Sequence, residues 1–215
     1  MSLSLQKWLR FVTPGFLILV FSWFLGKATG LWGFQLPEKP QEALPTLTVL
    51  IPAAIYYLTP LRSSSNQKYF NTVTETLRQR LLEISGINDD KSIYTWNRLR
   101  GIFFSLIDSD KSLEKKASIA YFNGYIWTTI ADIRVVALSF FALSVGFWLA
   151  GAPNGGLCAV IFLVLAALSF PASSYVTKQH VKIGEEQIEI IEHNHLALLK
   201  EKLGAVRDRF NNQGN

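Results

Sequence analysis

The stretch GAPNGG, Gly151–Gly156, lies inside the longest uncharged run of the chain. No Asp, Glu, Lys or Arg occurs between Arg134 and Lys178, so positions 135–177 form 43 neutral residues. A helix rises about 1.5 Å per residue, and a hydrocarbon layer of about 30 Å takes about 20 residues to cross. The run is therefore about twice too long for one straight crossing. Pro153 cannot continue a helix, and Asn-Gly and Gly-Gly adopt positive φ readily in tight turns. The segment reads as a helical hairpin, VVALSFFALSVGFWLAG out and LCAVIFLVLAALSFPAS back, with its turn at 151–156. Trp148 beside that turn serves as an interfacial anchor.

The rest of the chain follows from how charge is distributed. Of 215 residues 49% are apolar or aromatic, a figure that a large soluble core would also explain. Charge, however, is missing from whole blocks and concentrated between them, the pattern of a multi-span membrane protein. Phe11–Gly26 is a block of 16 uncharged residues, with Arg10 and Lys27 placed to snorkel at its ends. It has a second reading as a secretory signal, but GKATGLWG after it lacks a clean small-x-small cleavage site. Ala43–Leu61 is a block of 19 that holds Pro45, Pro52 and Pro60, of which Pro52 should kink a helix. The expectation is an all-α integral membrane protein with four transmembrane helices and a helical cytoplasmic domain. Residues 1–61 would form a first transmembrane hairpin (spans about 11–26 and 43–61), 62–134 a cytoplasmic insert, 135–177 the second hairpin and 178–215 a cytoplasmic helix.

Lysine and arginine set the orientation. The N-terminal segment carries Lys7 and Arg10, the loop 27–42 carries Lys27 and Lys39, and the hairpin turn carries none. All but two of the 21 basic residues thus fall on the side shared by the two termini and the central insert. The positive-inside rule assigns that side to the cytoplasm and the protein to the bacterial inner membrane. Arg10, Arg62, Arg134 and Lys178, at the ends of the spans, agree. The aromatics divide likewise, with Trp8, Tyr57, Trp127 and Tyr175 towards one interface and Trp23, Trp32 and Trp148 towards the other. The net charge of +5 therefore meets anionic lipid, and nucleic acid is not an expected partner.

The insert reads as three helices. Ser63–Ser65 would cap one in which Phe70, Val73, Leu77, Leu81 and Ile84 recur at helical spacing, and Gly86 would end it. After INDDKS a second helix puts Trp96, Leu99, Phe103 and Leu106 on one face. DSDKS breaks the pattern and caps a third helix from about Leu113, which continues into the third span. In the tail, Leu196, Leu199, Leu203, Val206 and Phe210 repeat at 3-4-3-4 spacing. Two heptads fit either a coiled-coil seam or an amphipathic helix on the insert, and Gly184 weakens the helix upstream.

Motifs that carry chemistry are scarce. Glu192–His195, EHNH, contains one Glu-x-x-His pair, half of a di-iron set, and the chain has no second. Two histidines at i and i+2 also face different ways on a helix, so a solvated face explains them. Cys158 stands alone in an apolar run and reads as a small buried hydrophobe. Phosphate loops, a nucleophile elbow and metal-ligand spacings are all missing, and neither an enzyme nor a cofactor is expected. Asp132 and Arg134, with Trp127, mark the membrane interface on the third span. Two apart, the charges do not pair with each other: Arg134 reads as a snorkelling anchor, and Asp132 needs a partner from another helix or subunit. No ionisable group is expected inside a span. Ala142, Gly146 and Ala150 form a small-xxx-small stripe for helix packing, against the fourth span or a second copy. Trp96, Arg98 and Arg100, with Leu199 and Leu203 on the tail, are candidate contacts for a protein partner.

In layout the chain, with its helical insert RSSSNQKYF…IADIR between the second and third spans, resembles the small four-span membrane components of bacterial anti-phage defence systems, that of the Kiwa system among them. The resemblance is one of architecture and carries over no residue. It implies a homo-oligomer that works with a cytosolic partner and senses or perturbs the membrane during infection. The reading that results is a non-enzymatic inner-membrane protein coupling the bilayer to a cytoplasmic partner. A channel lined by Thr46, Thr48, Tyr56 and Thr59 and an immunity protein against a membrane toxin are the alternatives.

Overall fold

The computed structural model describes residues 3–31, 47–88 and 90–213. Among them there is no strand, and the chain runs as α1 (Leu3–Thr29), α2 (Leu47–Tyr57), α3 (Leu61–Ser85), α4 (Trp96–Ser109), α5 (Lys111–Leu149), α6 (Gly155–Asn194) and α7 (Leu196–Gln213). Three described helices are long and apolar enough to cross a membrane, lying within 5–29, 111–149 and 155–194. The all-α class thus stands, with three candidate membrane crossings among the described residues where the sequence led us to expect four.

The difference lies in the block 43–61. Positions 43–46 fall outside the described residues, and the helix that follows, α2, has 11 residues. At 1.5 Å per residue that is about 16 Å, half of a hydrocarbon layer. It stops because Thr59 folds back, its amide and hydroxyl both donating to the Tyr56 carbonyl at 3.0 and 2.7 Å, and because Pro60 has no amide to continue the ladder. Helix α3 then starts at Leu61, ahead of the expected cap. Ser63 and Ser64 lie within its first turn and donate to the Pro60 carbonyl at 2.8 and 2.9 Å.

The chain divides into two compact units, residues 1–67 with 125–175 and residues 68–124 with 176–215. In the first, α5 ends at Leu149 and α6 begins at Gly155, as the turn chemistry requires. Gly151 and Asn154 take positive φ of 80° and 56°, and Asn154 Nδ2 ties the turn to the Ala28 carbonyl of α1 at 2.8 Å. A Cβ on Gly155 would stand 2.6 Å from the Trp148 amide nitrogen, so only glycine lets the hairpin close there. The core is aromatic: Phe21, Phe140 and Phe162 meet with ring centroids 5.0–5.7 Å apart, around the buried Leu25, Val136 and Cys158. Helix α1, longer than the expected block 11–26, packs on α2 through Gly15.

In the second unit Gly86 ends α3 with φ 70°, and the Ile87 amide reaches back to the Leu82 carbonyl at 3.1 Å, as glycine-terminated helices do. Leu99, Phe103, Leu106 and Ile107 of α4 are buried together with Val73, Leu77 and Leu81 of α3, the faces read from periodicity. Phe70 is exposed. Gly184, expected as a weak point, sits within an unbroken α6. A Cβ there would come within 2.4 Å of Leu77 Cδ2, so its lack of a side chain admits α3.

At Gly15 a Cβ would lie 2.1 Å from the Val49 carbonyl oxygen and 2.9 Å from the Ala53 nitrogen. These are backbone atoms that cannot rotate away, so Gly15→Ala must part α1 from α2. We expect a loss of about 1–3 kcal/mol in detergent unfolding, the range for overpacked sites. Gly101→Ala, where a Cβ meets nothing within 4 Å, should be neutral or stabilising in the same measurement.

Candidate functional site

Three charged side chains converge inside the first unit, two of them, Asp132 and Arg134, expected from the sequence at a membrane interface. Asp132 lies 17 residues before the end of α5 at Leu149, about 26 Å of helix from the hairpin turn. Its side chain is 1% exposed. A lone carboxylate there would be strongly disfavoured, and it is held by two groups from elsewhere in the chain. Arg62, in the first turn of α3, donates through Nε to Oδ1 and through a terminal nitrogen to Oδ2, both at 2.7 Å. Tyr56, the penultimate residue of α2, donates its hydroxyl to Oδ1 at 3.0 Å. Arg62 also donates to the Arg10 carbonyl of α1 at 2.7 Å, so one ion pair joins α1, α2, α3 and α5.

Two residues on, Arg134 serves a different set of helices. Its side chain is buried, at 4% exposure, and lies over the Phe170 ring at 4.5 Å. It donates to the Ser169 hydroxyl and carbonyl at 2.9 and 3.1 Å, to the Ser65 carbonyl and hydroxyl at 2.9 and 3.1 Å, and to the Ser173 hydroxyl. The expected snorkelling anchor is instead an interior cross-link between α3, α5 and α6. A helix turns about 100° per residue, so positions two apart address different neighbours, and the pair clamps the bundle from two sides.

The other expected residues fall as follows. Trp127 is buried, so its ring turns into the bundle rather than outwards. Ala142, Gly146 and Ala150 are exposed. With Ser139, Leu143 and Phe147 they line a shallow open groove, and a Cβ at Gly146 would meet nothing within 4 Å. The stripe therefore does not pack on α6. Of the residues considered for a channel lining, Thr46 lies outside the described residues, Tyr56 and Thr59 are engaged as above, and Thr48 is exposed.

In the second unit Leu199 and Leu203 are fully buried. The heptad seam is spent on the chain's own helices, which removes both residues as partner contacts. Trp96 is half-buried and lies 5.8 Å from Phe103. Arg98 lies over Phe210 at 5.0 Å and donates to the Ser92 and Ile93 carbonyls, and both it and Arg100 are exposed. His195, set aside in the sequence, bonds Asp110 at 2.9 Å. Ser112 chiefly, then His195, hold the Asp110 carboxyl well below the usual carboxylate range. Among the described residues no group of His, Cys, Asp or Glu is arranged to hold a metal ion.

Ser169 and Ser173 were missed in the sequence although a signal exists. They stand at i and i+4, hence on one helix face, on either side of Pro171 in a segment without charge. No protein-family model, curated protein or solved structure matches the chain, so the geometry of the clamp is what bears on its use.

Removing one partner of a buried ion pair leaves the other uncompensated, at a cost of about 3–5 kcal/mol. Asp132→Ala should therefore destabilise the protein by that order in detergent unfolding. Replacing the pair, Arg62→Leu with Asp132→Leu, should recover most of the loss. A double variant as unstable as Asp132→Ala would show that the loss does not come from leaving the Arg62 charge unpaired.

Proposed function

We propose that this chain is a non-enzymatic protein of the bacterial inner membrane that couples the state of the bilayer to a cytoplasmic protein partner, both termini in the cytoplasm because the chain after α2 returns to the start of α1, where Arg62 meets the Arg10 carbonyl. The observation that carries the reading is on α5. The helix has 39 residues without a break, about 19 more than a bilayer needs. Its apolar part holds the Asp132 and Arg134 clamp, and its first turns belong to the second compact unit. A displacement of α5 relative to its neighbours is therefore transmitted along a stiff rod. Lysines at 7, 68 and 178, all exposed, support the cytoplasmic assignment of that end. The open stripe Ala142, Gly146, Ala150 supports assembly with further copies, since small residues let membrane helices approach closely. Likeness in layout to anti-phage membrane components gives the setting: a defence complex in which a soluble protein reads the membrane subunit.

Hydrogen exchange in nanodiscs of differing lipid thickness tests the coupling. Protection of amides 111–124 should change with thickness in the native protein and lose that dependence in Arg62→Leu/Asp132→Leu. Amides indifferent to thickness in the native protein would defeat the reading, and ion flux from the purified protein in liposomes would favour a channel instead. Gly146→Leu should lower the oligomeric mass in detergent while leaving monomer stability unchanged.

A further inference from the structure

Two helix breaks in the second unit are joined side chain to side chain. Asp110 is the single residue between α4 and α5, and His195 the single residue between α6 and α7. The His195 ring reaches the Asp110 carboxylate at 2.9 Å. The two breaks differ in origin. Asp110 has extended backbone, φ −132° and ψ 121°, and its carboxylate accepts the Ser112 and Leu113 amides at 2.7 and 3.3 Å. An aspartate in that geometry starts a helix by itself, so local sequence encodes the first break.

The second has a weaker local cause, only His193, Asn194 and His195 being poor helix formers there. From Glu185 to Leu203 there is no glycine or proline, and Glu, Gln, Ile, Leu, Lys and Ala dominate, most of them good helix formers. Yet the chain bends at His195. The helix closes right up to that residue, whose amide donates to the Ile191 carbonyl at 2.8 Å, and resumes from it, the Leu199 amide donating to its carbonyl at 2.9 Å. Breaking a helix strips amides and carbonyls of their intrahelical partners, so the bend must be offset by tertiary contacts. These are on view: Leu199 and Leu203 fully buried, Lys202 Nζ on the Ser105 hydroxyl at 3.2 Å, Arg98 over Phe210, and the Asp110–His195 bond at the pivot. Three of the four lead to α4 or to the residue that ends it.

We propose that α7 is a latch with two positions. Docked on α4 it folds back from α6, with the Asp110–His195 bond as its catch; released, it joins α6 as one straight helix from Gly155 to Gln213. Straightening restores the backbone hydrogen bonds lost at the bend and uncovers the buried faces of α4 and α7 together, the kind of paired apolar surface that a helical partner binds.

The test is a spin-label distance between Lys182→Cys and Arg207→Cys, both exposed positions, in full-length protein in nanodiscs with Cys158→Ala as background. In a straight helix the two backbones lie about 38 Å apart. The otherwise native chain should give one population well short of that. His195→Ala should add a population at about 38 Å, several-fold above the native level, and Leu199→Glu, which puts a charge in the docked interface, should make it the major one. A broad distribution without that peak in Leu199→Glu, meaning that α7 unfolds rather than joins α6, would overturn the proposal. So would a native-like distribution in His195→Ala, which would show that the bond is no catch.

Discussion

The constraint on which the first unit depends is that its charges must face inwards. Asp132 and Arg134 sit on the apolar α5, where turning either outwards in a bilayer would cost several kcal/mol, about 2.5–3.5 on insertion scales, and Arg62 reaches Asp132 from the polar first turn of α3. Geometry resolves this by pairing. Asp132 takes both nitrogens of Arg62 and the Tyr56 hydroxyl, and Arg134 is given serine oxygens and an aromatic face. Each bond counts for more than it would in water, because the alternative is an unsolvated charge. The same bonds fix which helices are neighbours and in what register, something apolar side chains alone specify weakly.

Glycine provides the second specification. Gly15, Gly155 and Gly184 each stand where a Cβ would meet an atom within 2.6 Å, and each marks a contact between helices. Small residues serve here as seats for a neighbouring backbone or leucine. A Cβ on the exposed glycine of the small-residue stripe, Gly146, would meet nothing within 4 Å among the described residues. Two glycines, Gly15 and Gly146, are thus indistinguishable by composition and opposite in use.

What the sequence revealed was local. The hairpin turn was legible because Pro153, Asn154 and three glycines act within their own few residues. The end of α3 at Gly86, the inward face of α4 and the start of α5 after Asp110 were legible for the same reason, since capping and 3.6-residue periodicity are short-range. The clamp was legible only by halves. Asp132 was recognisably in need of a partner, but Arg62 is 70 residues away, and no spacing rule spans that distance. Arg134 was misread because snorkelling and burial begin from the same position in the sequence and diverge only when hydroxyls on another helix come within reach. In the block 43–61 an uncharged count does not register where the backbone can turn: Thr59 and Pro60 end α2 while the hydropathy continues.

These features give α5 two unlike faces, and that bears on what it can do. From Ala117 to Leu149 its only charged residues are the two buried ones. The outer face is therefore free of exposed charge over 33 positions, about 50 Å of helix against a hydrocarbon layer of about 30 Å. Axial movement by several residues would drag no exposed charge into lipid, so the bilayer opposes it weakly. The inner face opposes it strongly, because any such shift must exchange the partners of Asp132 and Arg134 in one step. A helix that is smooth on one side and notched on the other would move between discrete positions rather than continuously, as the proposed coupling requires. The bend at His195 repeats the arrangement in the second unit on a smaller scale. There too a helix-favouring segment is held in one of two geometries by a side-chain bond at a single position.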